Sequence, residues 1–138
     1  MEKSLSLEKG TVQLLEDKIL IQDNAKREYI IRIVSSALWT FYGIMSVLRY
    51  LKTGDAFLLW TGLLIGVAHF VLLVLSFLRT TKAEIELSEV QHVTFKSRNG
   101  NRFMDLKLRN GLKRRVSKIA PISEDMRAFF MERQIQVK

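Results

Sequence analysis

Proton transfer, metal ligation and nucleophilic attack draw on few side-chain types, and this chain is short of them. It has two histidines, His69 and His92, and no cysteine, which removes thiolate nucleophiles, disulfides and cysteine-ligated metals and fits a reducing compartment. The carboxylates are not paired at spacings that suit acid–base work, and no HExxH, Ser/His/Asp arrangement or Gly-rich phosphate loop occurs. His92 falls on an outward position of an alternating stretch, where a solvated role is ordinary. The chain therefore reads as non-enzymatic, with no cofactor and no metal.

His69 is different, because it lies inside the uncharged run Ala56–Leu78. At 100° per residue, Gly62, Gly66, His69, Leu73 and Ser76 share one helix face, and the two glycines have the GxxxG spacing that permits close helix approach. An ionisable group at such depth is costly. It is expected either to hydrogen-bond a Ser or Thr of a neighbouring helix or to serve a pore or proton path.

The preceding apolar stretch offers that neighbour. Arg32, Ser35, Ser36, Trp39, Thr40, Gly43, Ser46 and Tyr50 fall on one side of a helix, and Val34, Ala37, Leu38, Phe41, Ile44, Met45 and Leu48 on the other. Two arrangements suit such a stripe. It mates with the Gly/His face of the same chain, or chains associate as a homo-oligomer around a bundle or pore, with Arg32 and Arg49 as positive rings at its mouths.

A third chemistry is electrostatic. Lys and Arg total 22 against 14 acids, a formal net charge of +8, and the candidates for binding an anion or partner are Lys107, Lys113, Arg114 and Arg115, with Arg79 and Lys82 nearby. They suit anionic lipid headgroups, another polyanionic ligand or a protein partner, or they are solvated charge. Only Phe103 is an outward aromatic beside them, so sequence-specific nucleic-acid binding is not expected.

These residues need elements to position them. As a helix, Ala56–Leu78 spans about 34 Å, enough for a hydrocarbon core of about 30 Å. The first stretch has 16 residues between Arg32 and Arg49, and both arginines can snorkel to the interfaces. Residues 79–138 carry 14 Lys plus Arg against 7 acids, whereas the connector holds only Arg49, Lys52 and Asp55. Both termini are thus expected in the cytoplasm.

Outside the spans the pattern is β. Val12 and Leu14, a Glu16-Asp17-Lys18 turn, then Ile19 and Ile21 read as a hairpin, and Ile85, Leu87, Val93 and Phe95 alternate with polar residues. Arg98-Asn99-Gly100-Asn101 is a turn signal. For the next hairpin, a three-residue loop Arg109-Asn110-Gly111 with Gly111 left-handed pairs Leu108 with Leu112 and Met104 with Val116. That register puts Leu106 inside and Phe103, Asp105, Lys107, Lys113 and Arg115 outside, and leaves Arg114 as a misfit on the apolar face. Ser123 is expected to cap a terminal helix with Met126, Phe129 and Phe130 on one side.

The order of these elements, a strand pair, an apolar helix pair, strands IELSEVQHVTF, RFMDLKLRNG and KRRVSKI, then a helix, resembles the bacterial pleckstrin-homology-like membrane proteins, including the YcxB-like group. The resemblance implies a small twisted barrel, capped by a C-terminal helix, attached to two membrane helices. Phosphoinositide-binding members of that fold carry a basic first hairpin loop. Here it is Glu16-Asp17-Lys18, which departs from that pattern.

The expected fold is a membrane α+β protein, with a two-helix transmembrane hairpin inserted in a small PH-like antiparallel β domain with a C-terminal helix. The segments are an N-terminal β-hairpin over 1–29, transmembrane helices over 30–51 and 56–78, an outer loop over 52–55, and the remaining cytoplasmic domain over 79–138. The expected function is a homo-oligomeric sensor or effector whose cytoplasmic domain controls a helix bundle or pore, an architecture shared with antiphage membrane effectors. The alternative is a membrane-anchored scaffold that binds a protein partner or anionic lipid headgroups.

Overall fold

The computed structural model describes residues 2–138, and it divides into two compact units: residues 2–26 with 78–138, and Arg27–Phe77. Two long helices dominate the second, α1 (Ala25–Thr53) and α2 (Ala56–Phe77). At 29 and 22 residues, both are long and apolar enough to cross a membrane. The Gly54 N–H closes α1 on the Tyr50 carbonyl at 2.7 Å, and Asp55 Oδ1 opens α2 by accepting the Phe57 N–H at 3.0 Å. Helix α1 begins at Ala25, within the segment assigned to the N-terminal hairpin. Asp23 Oδ1 accepts the Ala25 N–H there at 3.2 Å, and nothing in Lys26-Arg27-Glu28 opposes helix.

The other unit is built from two four-stranded sheets, one antiparallel and one mixed. Strands β1 (Lys3–Leu7), β2 (Gly10–Leu14), β3 (Lys18–Gln22) and β4 (Glu84–Glu86) lie in that order in the first. Leu14 pairs with Ile19 and Ile19 with Ile85, so β4 completes the sheet from the far side of the helix pair. In the second sheet β7 (Lys113–Ser117), β6 (Asn101–Leu108) and β5 (Val90–Arg98) are adjacent, and the two-residue β8 (Gln136–Val137) runs parallel beside β5. Helix α3 (Ser123–Glu132) supplies Met126, Phe129 and Phe130 to a single core with Val12, Ile19 and Ile85 of one sheet and Val93, Leu106 and Val116 of the other.

The β6–β7 register is Met104 opposite Val116 and Leu106 opposite Arg114. Gly111 is left-handed at φ 90°, and the Leu108 N–H meets the Leu112 carbonyl at 2.9 Å. Other expectations are corrected. The stretch Ile85–Phe95 is not one strand: Leu87–Glu89 forms a 3-10 turn, after which Val90, out of phase with Ile85, is buried and begins the second sheet. The chain changes sheets there, and a β-bulge follows between Val90 and His92. Ser123 does not cap α3. Ala120–Ile122, with Pro121, already winds as a 3-10 turn, and Ser123 has helical angles of φ −58° and ψ −39°, so Ile122 is the cap residue, without a side-chain bond.

Candidate functional site

Within Arg27–Phe77, the stripe of α1 faces α2. Ser36, Gly43 and Ser46 are buried on one helix and Gly62 and Ser76 on the other. The contact is made by backbone: a Cβ on Gly43 would stand 2.5 Å from Gly66 Cα and 2.7 Å from the Gly62 carbonyl oxygen, and one on Gly62 would stand 2.7 Å from the Ser46 Cβ. Hydroxyls bond back along their own helices, Thr40 to the Ser36 carbonyl at 2.8 Å and Ser76 to the Leu72 carbonyl at 2.8 Å. His69 does not reach a Ser or Thr of α1. Its Nδ1 donates to the Ile65 carbonyl at 2.9 Å, and its ring stacks on Trp39 with centroids 5.6 Å apart. Arg32 and Arg49 are exposed on α1. The stripe and the Gly/His face are therefore brought together inside one chain.

In the β unit, Arg114 leaves the set of surface cations. It is 1% exposed, because its strand position points inward, and a buried guanidinium must find partners. It finds them in both segments that join this unit to the helices. Its Nη2 donates to Asp23 Oδ1 at 2.8 Å, its Nε to the Lys82 carbonyl at 3.0 Å, and its Nη1 to the Arg115 carbonyl. Asp23 was not anticipated as its partner. The signal was the misfit itself, an Arg on an apolar face, which demands an acid from elsewhere in the chain.

Lys107, Lys113 and Arg115 do share the outer face of the second sheet. Lys107 sits opposite Lys113 on one side and His92 on the other, and the Lys107 ammonium reaches back to the Gly111 carbonyl. Arg115 is largely neutralised: it grips Asp105 with bonds of 2.8 and 2.9 Å and lies 4.3 Å over the Phe103 ring. The hydrogen bond to Asp105 raises its pKa further. Sequence reasoning missed Lys138, which joins this row through β8. Burial first, and then the charges of Lys138, Lys107 and Lys113, lower the His92 pKa below its usual value.

Lys113 is also fastened to the helix exit. Its N–H donates to the Leu78 carbonyl at 3.0 Å, and its carbonyl accepts from Thr80 at 2.9 Å. The row His92, Lys107 and Lys113 therefore begins beside the residues that immediately follow α2. Lys82, by contrast, is held by Glu89 at 2.9 Å, which lowers the Glu89 pKa. No group of His, Asp and Glu among the described residues could hold a metal ion. The chain matches no protein-family model, no curated protein and no solved structure.

Proposed function

We propose that this chain is a two-span bacterial inner-membrane protein whose cytoplasmic, pleckstrin-homology-like domain is a non-enzymatic binding module, its basic sheet face engaging anionic headgroups of the leaflet that anchors it. The observation that carries this reading is the pairing of Lys113 with Leu78 and Thr80, which keeps Lys107 and Lys113 within a few residues of the helix end. Cations so near an anionic surface each contribute about 1 kcal/mol. The positive balance of 79–138 supports the orientation. Four strands, then three, then a helix that closes the core supports the PH-like reading.

The pore reading draws less support. Lipid-facing walls need apolar outer surfaces, which α1 and α2 have, but a channel also needs a polar lining. Ser36, Gly43 and Ser46 are spent in the contact with α2. The test reads His92 by NMR in nanodiscs of phosphatidylcholine with and without phosphatidylglycerol. Anionic headgroups near Lys107, Lys113 and Lys138 offset their field, so the His92 pKa is expected to rise in the anionic discs, and Lys107→Gln with Lys113→Gln is expected to abolish the difference. Identical titrations in both lipids would overturn the proposal.

A further inference from the structure

Within the helix pair, three ring side chains lie side by side. Trp39 stacks on His69 and meets Tyr42 edge-on, with centroids 5.6 and 5.8 Å apart, so indole, phenol and imidazole form one row across both helices. Trp39 and Tyr42 are 46 and 47% exposed and His69 is half-buried, which places the row on an outward flank of the pair. Trp39 is the middle residue of α1, and Tyr42 and His69 lie at least eight residues inside the ends of their helices, about 12 Å at a rise of about 1.5 Å per residue. In a spanning helix that is hydrocarbon, away from the interfaces where Trp and Tyr keep their polar ends wet.

Short hydroxyls at such depth satisfy themselves. Thr40, Thr61 and Ser76 each donate to a carbonyl one turn back in their own helix. The ring tips stand too far from the backbone to do so. Among the described residues, the Trp39 indole N–H and the Tyr42 hydroxyl have no hydrogen-bond partner. His69 Nδ1 donates to the Ile65 carbonyl, so the neutral imidazole offers Nε2 as a bare acceptor. Hydrocarbon supplies neither donor nor acceptor, and each unpaired group in it is costly. The set is self-complementary, since Tyr42 brings an O–H and His69 a lone pair that their own chain leaves unused. Because the two residues stand on different helices, a second copy related by a two-fold axis presents them in reverse order and makes two equal bonds.

We propose that two chains associate through this flank as an isologous dimer, the Tyr42 hydroxyl of each donating to Nε2 of the partner subunit's His69, with Trp39 packed between them. The contact leaves Ser36, Gly43 and Ser46 within the helix pair of each chain and forms no pore. It rests on the reading of both helices as membrane spans and not on lipid binding by the β unit.

The chain has no cysteine, so full-length protein carrying Lys9→Cys takes a single fluorophore, and energy transfer is measured in phosphatidylcholine bilayers as the protein is diluted with lipid. Transfer is expected. Tyr42→Phe or His69→Phe, each of which keeps a ring beside Trp39, should weaken dimerisation about five- to tenfold, two bonds being lost at once. Combined in one chain, the two changes should weaken it no further. Chains with Tyr42→Phe mixed with chains with His69→Phe regain one Tyr42–His69 bond, so the mixed pair should be tighter than either variant with itself. Absence of transfer at every dilution, indifference to both single variants, or a mixed pair no tighter than the self-pairs would overturn the proposal. Depth is read separately, by quenching of Trp39 fluorescence in chains carrying Trp60→Phe with lipids brominated near the ends of their acyl chains. Unquenched Trp39 would overturn the membrane spans and the dimer with them, whereas quenched Trp39 in chains that never associate overturns the dimer alone.

Discussion

Between α1 and α2 the buried residues are Ser36, Gly43, Ser46, Gly62 and Ser76, while Phe57, Trp60 and Leu64 are 72, 69 and 75% exposed. In the β unit Val12, Ile19, Ile85, Val93 and Leu106 are all 0% exposed, and lysines line the outer face of the second sheet. One chain thus sorts residues by size in one region and by polarity in the other. In water, burial of apolar area drives packing. Between helices that span a membrane, as proposed for α1 and α2, that force is absent, and close backbone approach at small residues takes its place. The two regions should accordingly break under different substitutions.

The largest effect is expected in the β unit, at a charged position that defies its sorting rule. Arg114→Met leaves Asp23 without its partner and the Lys82 carbonyl without its donor, and should cost about 3–5 kcal/mol of stability. Arg115→Met, which cuts a more exposed pair with Asp105, should cost about 1 kcal/mol or less. Chemical denaturation of the full chain in detergent reads both. Equal losses would show that burial does not distinguish them.

Next comes the helix pair. Gly43→Leu pushes side chain into the Gly66 and Gly62 backbone, which cannot yield as a side-chain end would. A loss of about 1–3 kcal/mol or more is expected in thermal unfolding, against almost none for the outward Phe41→Leu. Should the two variants melt together, α1 and α2 are not held by this contact.

A smaller change separates backbone strain from packing. Nothing lies within 4 Å of a Cβ built on Gly111, which has φ 90°, so Gly111→Val should cost about 1–2 kcal/mol through its left-handed conformation alone. Lys107→Ala on the same hairpin should be nearly neutral. A mild effect at Gly111 and a severe one at Lys107 would reverse the assignment of strain and surface.

The smallest effect is in pH. Because the folded chain holds the His92 pKa below the ordinary value of 6.5, the unfolded chain takes up a proton first as pH falls. Stability of the β unit should therefore decline as pH drops through the unfolded value, and His92→Gln should flatten that part of the profile. Melting curves between neutral and mildly acidic pH check the sign. A rise in stability on acidification would contradict the cationic surroundings of His92.

How much of this was legible in the sequence depended on the range of the interaction. Loop length and a single glycine specified the β6–β7 register, because alternation lets only one pairing bury Leu106, Met104 and Val116 together. The same rule exposed Arg114 as a misfit but could not name Asp23, which lies 91 residues away. The helical period placed Ser36, Gly43 and Ser46 on one face and His69 with Gly62 and Gly66 on another. A period assigns faces and leaves the partner open; the glycine contacts show that the two faces meet within the chain. The β4–β5 break was hidden because Val90 shifts the alternation by one residue, and β8 because two residues carry no periodicity.

The insertion of α1 and α2 between β3 and β4 also sets an order of events during synthesis. When β1, β2 and β3 leave the ribosome, the strand that pairs with Ile19 is still unmade, and so are Val93, Leu106 and Phe130, which complete the core. The edge of β3 stays open until the intervening helices and Glu84–Glu86 have been translated. A chain arrested before that point offers that edge and its isoleucines to proteases and to other nascent chains.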